Sequence, residues 1–211
     1  MFGDTVSIDL SLSGDALWAQ TRLNHRRDIN RALKLGYVAH MDEDWSHFQA
    51  FKDLYRATMA RRSAARFYFF DDDYFDGLRS DLGECLHLCV VEKDGVIAAA
   101  GLFTETSGIV QYHLSGTRDE FRLVQPTKLM MHFVRSWAKD RGHRVLHLGG
   151  GVGGEDDSLL LFKIGFSPIR HAFATLRMVI DEKEYGRLVE ARNRRLDPRV
   201  RTGFFPLYRL A

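Results

Sequence analysis

The period of the hydrophobic positions changes several times along the chain, and each change marks an element. From Thr5 to Leu10 apolar and polar residues alternate through Val6, Ile8 and Leu10, which predicts a strand broken by Ser11 to Gly14. From Asp15 to Leu35 the period becomes helical. Leu17, Trp18, Thr21, Ile29, Ala32 and Leu33 fall on one side, and Arg22, Arg26, Arg27, Asn30, Arg31 and Lys34 on the other, with Gly36 as the stop. A short strand is expected over Tyr37 to His40. Asp42, Glu43 and Asp44 then open a helix whose dipole they suit, with a core stripe of Trp45, Phe48, Phe51, Leu54, Tyr55, Thr58 and Met59. Asp73 to Leu82 predicts a further short helix.

Leu86 to Glu92, Val96 to Thr104 and Ile109 to Ser115 read as three strands, and the turns Lys93-Asp94-Gly95 and Glu105 to Gly108 make them an antiparallel meander. A helix over Gln125 to Arg141 has Pro126 near its start, Leu129, Met130, Phe133, Val134 and Trp137 inward, and Gly142 at its end. Val145 to Leu148 is a short strand, Ile169 to Ile180 a long final one, and Asp181 to Arg194 a terminal helix. One domain over residues 1–196, with a tail of 197–211 packed on it, accommodates this order.

Charge adds little globally, because the net value is only +2, so no overall field for a polyanion is implied. Its distribution says more: Arg22 to Lys34 and Arg187 to Arg201 are basic clusters, each either a solvated face or a contact for phosphates. Cys85 and Cys89 have no paired CxxC motif and read as two buried thiols in a reducing compartment. No signal-like or membrane-spanning run is present, which predicts a soluble, cytoplasmic protein. No metal-ligand pattern and no tightly bound cofactor is expected.

The chain's most informative stretch is LHLGGGVGGEDDSLLLFKIGFSP, Leu146 to Pro168. It reads as strand, glycine-rich turn, short helix and turn. Gly149, Gly151 and Gly154 spell GxGxxG, but Glu155, Asp156 and Asp157 are expected in the first helical turn, where they would repel a pyrophosphate; capping the helix is their simpler role. Lys163, between Phe162 and Ile164, is either a surface lysine with its stem on apolar neighbours or a charge held at a cleft. A second stretch, RRSAARFYFFDDDYF, interleaves Arg61, Arg62 and Arg66 with Tyr68 and other aromatics, a combination that can stack bases and hold phosphates or simply anchor a loop.

The element order predicts an α/β fold of the mixed α+β kind, a mainly antiparallel sheet flanked by helices. It is similar to that of the GNAT acyltransferase superfamily. Where that superfamily binds acyl-CoA pyrophosphate with Q/R-x-x-G-x-G/A, this chain has SGTRDEFRLVQPTK, with Gly116 alone. The chain resembles more closely the FemAB/FemX-like aminoacyltransferase branch, through HRRDINRALKLG (His25 to Gly36), FKDLYRATMARRSAARFYFFDDDYF, YHLSGT (Tyr112 to Thr117) and the Leu146 to Pro168 stretch. FemABX proteins are similar to two GNAT modules in tandem, and this chain resembles the second alone; another subunit or a homodimer is the expected source of the rest.

That resemblance implies transfer of an aminoacyl group from aminoacyl-tRNA to an amine acceptor such as a peptidoglycan precursor. It implies Lys163 as a catalytic cation and Phe162 as a stacking ring at the tRNA acceptor end, with Arg66 and, in the same segment, Tyr68 as further binding residues. His113 is the candidate proton acceptor, with Tyr112 beside it. Asp156 and Asp157 are candidates for orienting the incoming amine, and Gly151 is a further candidate binding residue. Two alternatives stay open: a GNAT N-acetyltransferase using acetyl-CoA, and a non-catalytic tRNA- or partner-binding module presenting Arg22 to Lys34.

Overall fold

Seven strands form one mixed sheet in the computed structural model, which describes residues 3–193 and 205–209. They are β1 (Gly3–Asp9), β2 (Val38–Met41), β3 (Leu86–Lys93), β4 (Val96–Thr106), β5 (Ile109–Thr117), β6 (Val145–Gly150) and β7 (Arg170–Phe173). Their order is β2-β3-β4-β5-β6-β1-β7, and only the β5–β6 pair is parallel. The sheet is thus mainly antiparallel and flanked by helices, as the sequence predicts. β1 enters between β6 and β7, antiparallel to both, so the earliest strand closes the sheet against two late ones.

The meander forms because its turns carry residues that accept positive φ, Asp94 and Gly95 in one and Ser107 and Gly108 in the other. On one face of the sheet lie α1 (Gly14–Gln20), α2 (Leu23–Lys34), α5 (Pro126–Asp140) and α6 (Ser158–Ile164). Leu17, Ile29, Ala32, Leu129, Met130, Val134 and Leu160 from these helices meet Val6, Ile8, Phe103, Val110, Leu146 and Leu148 from the strands in one core. On the other face α3 (Phe48–Arg61) and α4 (Asp72–Leu82) cover Leu86, Leu88, Val90, Ala100 and Leu102 with Phe48, Phe51, Leu54, Tyr55 and Phe75. Each such large side chain contributes on the order of 1.5–3 kcal/mol by leaving water.

Several expectations need correction. The helix predicted over Asp15 to Leu35 is two helices, broken at Thr21, whose backbone is extended. The break has a cause: buried Arg135 of α5 donates to the Leu17 carbonyl at 3.0 Å and the Thr21 hydroxyl at 2.7 Å, taking the place of continued helical bonding. With the phase of α2 set by buried His25, Ile29 and Ala32, Leu33 points outward rather than into the core. Asp42, Glu43 and Asp44 do not open α3, which starts at Phe48. Buried Asp42 instead folds the preceding turn by accepting from the backbone N–H of His47 at 2.8 Å and the hydroxyl of Ser46 at 3.0 Å. Cys89 is buried but Cys85 is exposed.

The strand expected over Ile169 to Ile180 is only four residues long, Arg170–Phe173, and 174–179 has no regular structure. Two compact units are distinguished, Phe2–Phe173 and the residues from Ala174 onward. The second contains α7 (Glu182–Asn193), where the Tyr185 hydroxyl accepts from the Leu207 backbone N–H at 3.0 Å. The boundary expected between 196 and 197 lies outside the described residues. Among the described residues no helix is long and apolar enough to cross a membrane.

Candidate active site

β5 and β6 pair over three positions only, Ile109 with Val145, Val110 with Leu146 and Gln111 with His147. Beyond them the two strands carry Tyr112 to Thr117 and Leu148 to Gly150 without a shared ladder, and Lys163 reaches the place where they part. Its ammonium donates to the Gly150 carbonyl at 2.6 Å and lies 5.8 Å from the centre of the Tyr112 ring. Lys163 is buried, and burial lowers its pKa to about 8, with Asp157 pulling weakly the other way. It is therefore a buried cation and not a surface lysine.

The local sequence builds this position. α6 is short and is capped by Asp157, whose carboxylate accepts from the Leu160 N–H at 2.9 Å and from the Val152 N–H at 3.1 Å. Glu155 and Asp156 precede the helix and do not fill its first turn. A side chain at Gly151 would meet the Glu155 carbonyl oxygen at 2.0 Å, so the loop can fold back on its own cap only with glycine there. Gly149 combines a φ of +76° with a Cβ position 3.3 Å from the Lys163 ammonium, leaving room for the cation.

Around Lys163 the sheet adds groups the sequence did not flag. His147 is a register partner of both Gln111 and Ser7, and its pKa is lowered by burial and then by the charge of Lys163 and by His171. Ser7 is buried, and its hydroxyl is 2.6 Å from Nε2 of His171 on β7. The Tyr112 hydroxyl is hydrogen-bonded to that of Ser115, and burial raises its pKa. Cross-strand pairing between β1, β6 and β7 creates this grouping, and nothing in the local sequence encodes it. Among the described residues no cluster of three or more His, Cys, Asp or Glu side chains is placed to hold a metal ion.

The remaining candidates lie elsewhere. His113 leaves Tyr112 for the α4 side of β5, where its Nε2 is 3.2 Å from the Tyr74 hydroxyl and burial lowers its pKa. Phe162 turns its ring onto His25 and Phe166, and its carbonyl accepts from His25 Nε2 at 2.9 Å, tying α6 to α2. Asp156 is exposed and paired with Arg170 at 3.2 Å. Arg66 and Tyr68 belong to a short 3-10 turn after α3; Arg66 is exposed, and the Tyr68 carbonyl accepts from the Tyr55 hydroxyl at 2.9 Å. Of the expected set, Lys163 and Tyr112 meet directly, with Gly151 next to the carbonyl that holds the lysine.

Gly116 has a packing role. A Cβ there would lie 2.3 Å from the Leu54 carbonyl carbon, so α3 sits flush on β5 at the one glycine of the segment. The following residues, Asp119–Val124, form a 3-10 helix with acids in its first turn, and Arg61 is held by Asp119 at 2.6 Å.

A family model described as an acetyltransferase (GNAT) domain matches residues 19–157. No curated protein matches the sequence. Among solved structures, FemX superposes with a TM-score of 0.68 at 15% identity, covering 77% of this chain and 58% of FemX. The C-terminal domain of a protein described as a lysylphosphatidylglycerol synthetase, from Agrobacterium fabrum, gives 0.54 at 16% identity, covering 80% of this chain and 57% of that one. L-PGS from Bacillus licheniformis gives 0.50 at 14% identity, covering 90% and 52%. The chain thus spans little more than half of the structures it resembles.

Proposed function

Because the chain belongs to the GNAT acetyltransferase domain family and is an acyltransferase, we propose that it is a FemX-like aminoacyltransferase. Its donor is aminoacyl-tRNA and its acceptor an amine, such as that of a peptidoglycan precursor. The observation that carries this reading is the buried Lys163 ammonium at the parting of β5 and β6. In aminolysis the amine nitrogen attacks the ester carbonyl carbon, and the carbonyl oxygen gathers negative charge. The carbon–oxygen bond then breaks, and the ribose hydroxyl leaves with the proton the amine gives up. A cation fixed in a dry site stabilises that oxyanion far more than one in water.

Two further features support an aminoacyl ester over acyl-CoA as donor. Gly116 is occupied by the α3 backbone, and the 3-10 helix after it begins with acids rather than open N–H groups. FemX and the protein described as a lysylphosphatidylglycerol synthetase share the fold. The acceptor side is supplied by a further module or a second copy. Lys163→Ala is expected to lower transfer from charged tRNA by roughly 10²–10³-fold, the effect of removing one oxyanion partner, with the fold retained by circular dichroism. Normal turnover by that variant would sink the assignment. The family description itself favours a second reading, N-acetylation with acetyl-CoA; saturable acetyl-CoA binding without tRNA binding selects it.

A further inference from the structure

Among the described helices α2 is the one whose outward face is almost wholly cationic. Arg22, at its N-cap, and Arg26, Arg27, Arg31 and Lys34 stand against a single acid in the segment, Asp28. Asp28 is turned inward and held by Lys128 at 2.6 Å. Among the described residues none of the five cations has a carboxylate within ion-pair distance. Elsewhere in the same unit Lys52, Arg56, Arg61, Arg141 and Arg170 each meet one, whereas Arg66, Arg122 and Arg144 do not; α2 differs in carrying five such cations on one short segment. The buried face of α2, His25, Ile29 and Ala32, fixes which side looks out. That side presents Arg27, Asn30, Arg31 and Lys34, with exposed Leu23 beside them and Leu33 at the flank.

The helix is also fastened to the candidate site. The Arg22 backbone N–H donates to the Gly165 carbonyl at 2.8 Å, and His25 Nε2 donates to the Phe162 carbonyl at 2.9 Å. Both acceptors flank Lys163 in the chain, so the N-terminal end of α2 adjoins the helix that carries it. Arg27 to Lys34 spans about 10 Å of helix axis, enough to meet several backbone phosphates.

We infer that the outward face of α2 docks the phosphodiester backbone of a structured RNA, the body of the donor whose charged end meets Lys163; this rests on the aminoacyl-tRNA reading above. Unpaired guanidinium groups in a row neutralise phosphates and release their counterions without reading sequence. An anionic lipid surface fits less well. A helix that lies in a membrane interface needs a broad apolar face opposite its charges, and here that opposite face is buried in the core.

The test is a titration with uncharged tRNA over a range of salt, on the wild type and on Arg27→Gln/Arg31→Gln/Lys34→Gln. The three positions are exposed, and an unchanged thermal midpoint verifies the fold. The expected result is at least tenfold weaker binding at about 100 mM salt and a log-affinity against log-salt slope shallower by roughly 2 to 3, one step for each phosphate that the variant leaves unneutralised. Equal affinity and slope for the two proteins, or no tRNA binding by the wild type, overturns the inference. So does loss of binding to phosphatidylglycerol vesicles with tRNA binding intact, which assigns the face to lipid. The catalytic reading fails separately, through normal transfer by Lys163→Ala.

Discussion

Lys163 is held at a cost to stability. Its pKa of about 8 in the folded chain lies below the ordinary 10.5, so the charged form is disfavoured by folding. That cost is complete below pH 8 and disappears as pH rises from 8 to 10.5. Lys163→Met is therefore expected to raise the unfolding free energy at pH 7 by about 1–3 kcal/mol, seen as a higher urea midpoint, while transfer is lost. A destabilised variant would contradict the view that the cation is retained for chemistry. If the ammonium form is the working one, transfer should also fall as pH rises through about 8, a limb that pH–rate profiles resolve. Lys163 could be picked out in the sequence because a cation between Phe162 and Ile164 is unusual. Ser7, His147 and His171 could not, because strand pairing across more than a hundred residues brings them together.

Among the elements, the meander was legible because its turn residues determine its hairpins locally. The α1–α2 break was not, since it depends on Arg135 arriving from a distant helix. Nor was the short extent of β7: the sequence keeps alternating through Leu176, Met178 and Ile180, yet all three are exposed and pair with no strand. Gly116 illustrates the same limit, since a glycine read as the remnant of a phosphate loop is the place where α3 rests on β5. Gly116→Ala should destabilise the protein by about 1–3 kcal/mol, because the new methyl meets backbone that has to shift. Chemical denaturation measures this, and an unchanged midpoint would mean that α3 does not press on β5.

For the molecule as a whole, the buried histidines set its response to acid. Burial lowers the pKa values of His25, His87, His113, His132 and His147, and that of His132 reaches about 4 beside Arg135. The unfolded chain takes up these protons near pH 6.5 while the folded one resists, so the histidines cost nothing well above 6.5 and lower stability as pH drops below it. His132 alone should remove about 2 kcal/mol by about pH 5, and His132→Gln should flatten the pH dependence of the urea midpoint. The mixed architecture was legible at this scale, because the order of elements limits the layers they can form; the placement of β1 was not. That placement has a consequence in time. Thr5 pairs with Gly150, so on a translating ribosome β1 emerges about 145 residues ahead of its partner. At synthesis rates of roughly 5–20 residues per second it waits on the order of 10 s without its partner strand. For that interval Val6 and Ile8, both fully buried in the finished fold, are without the strand that covers their flank.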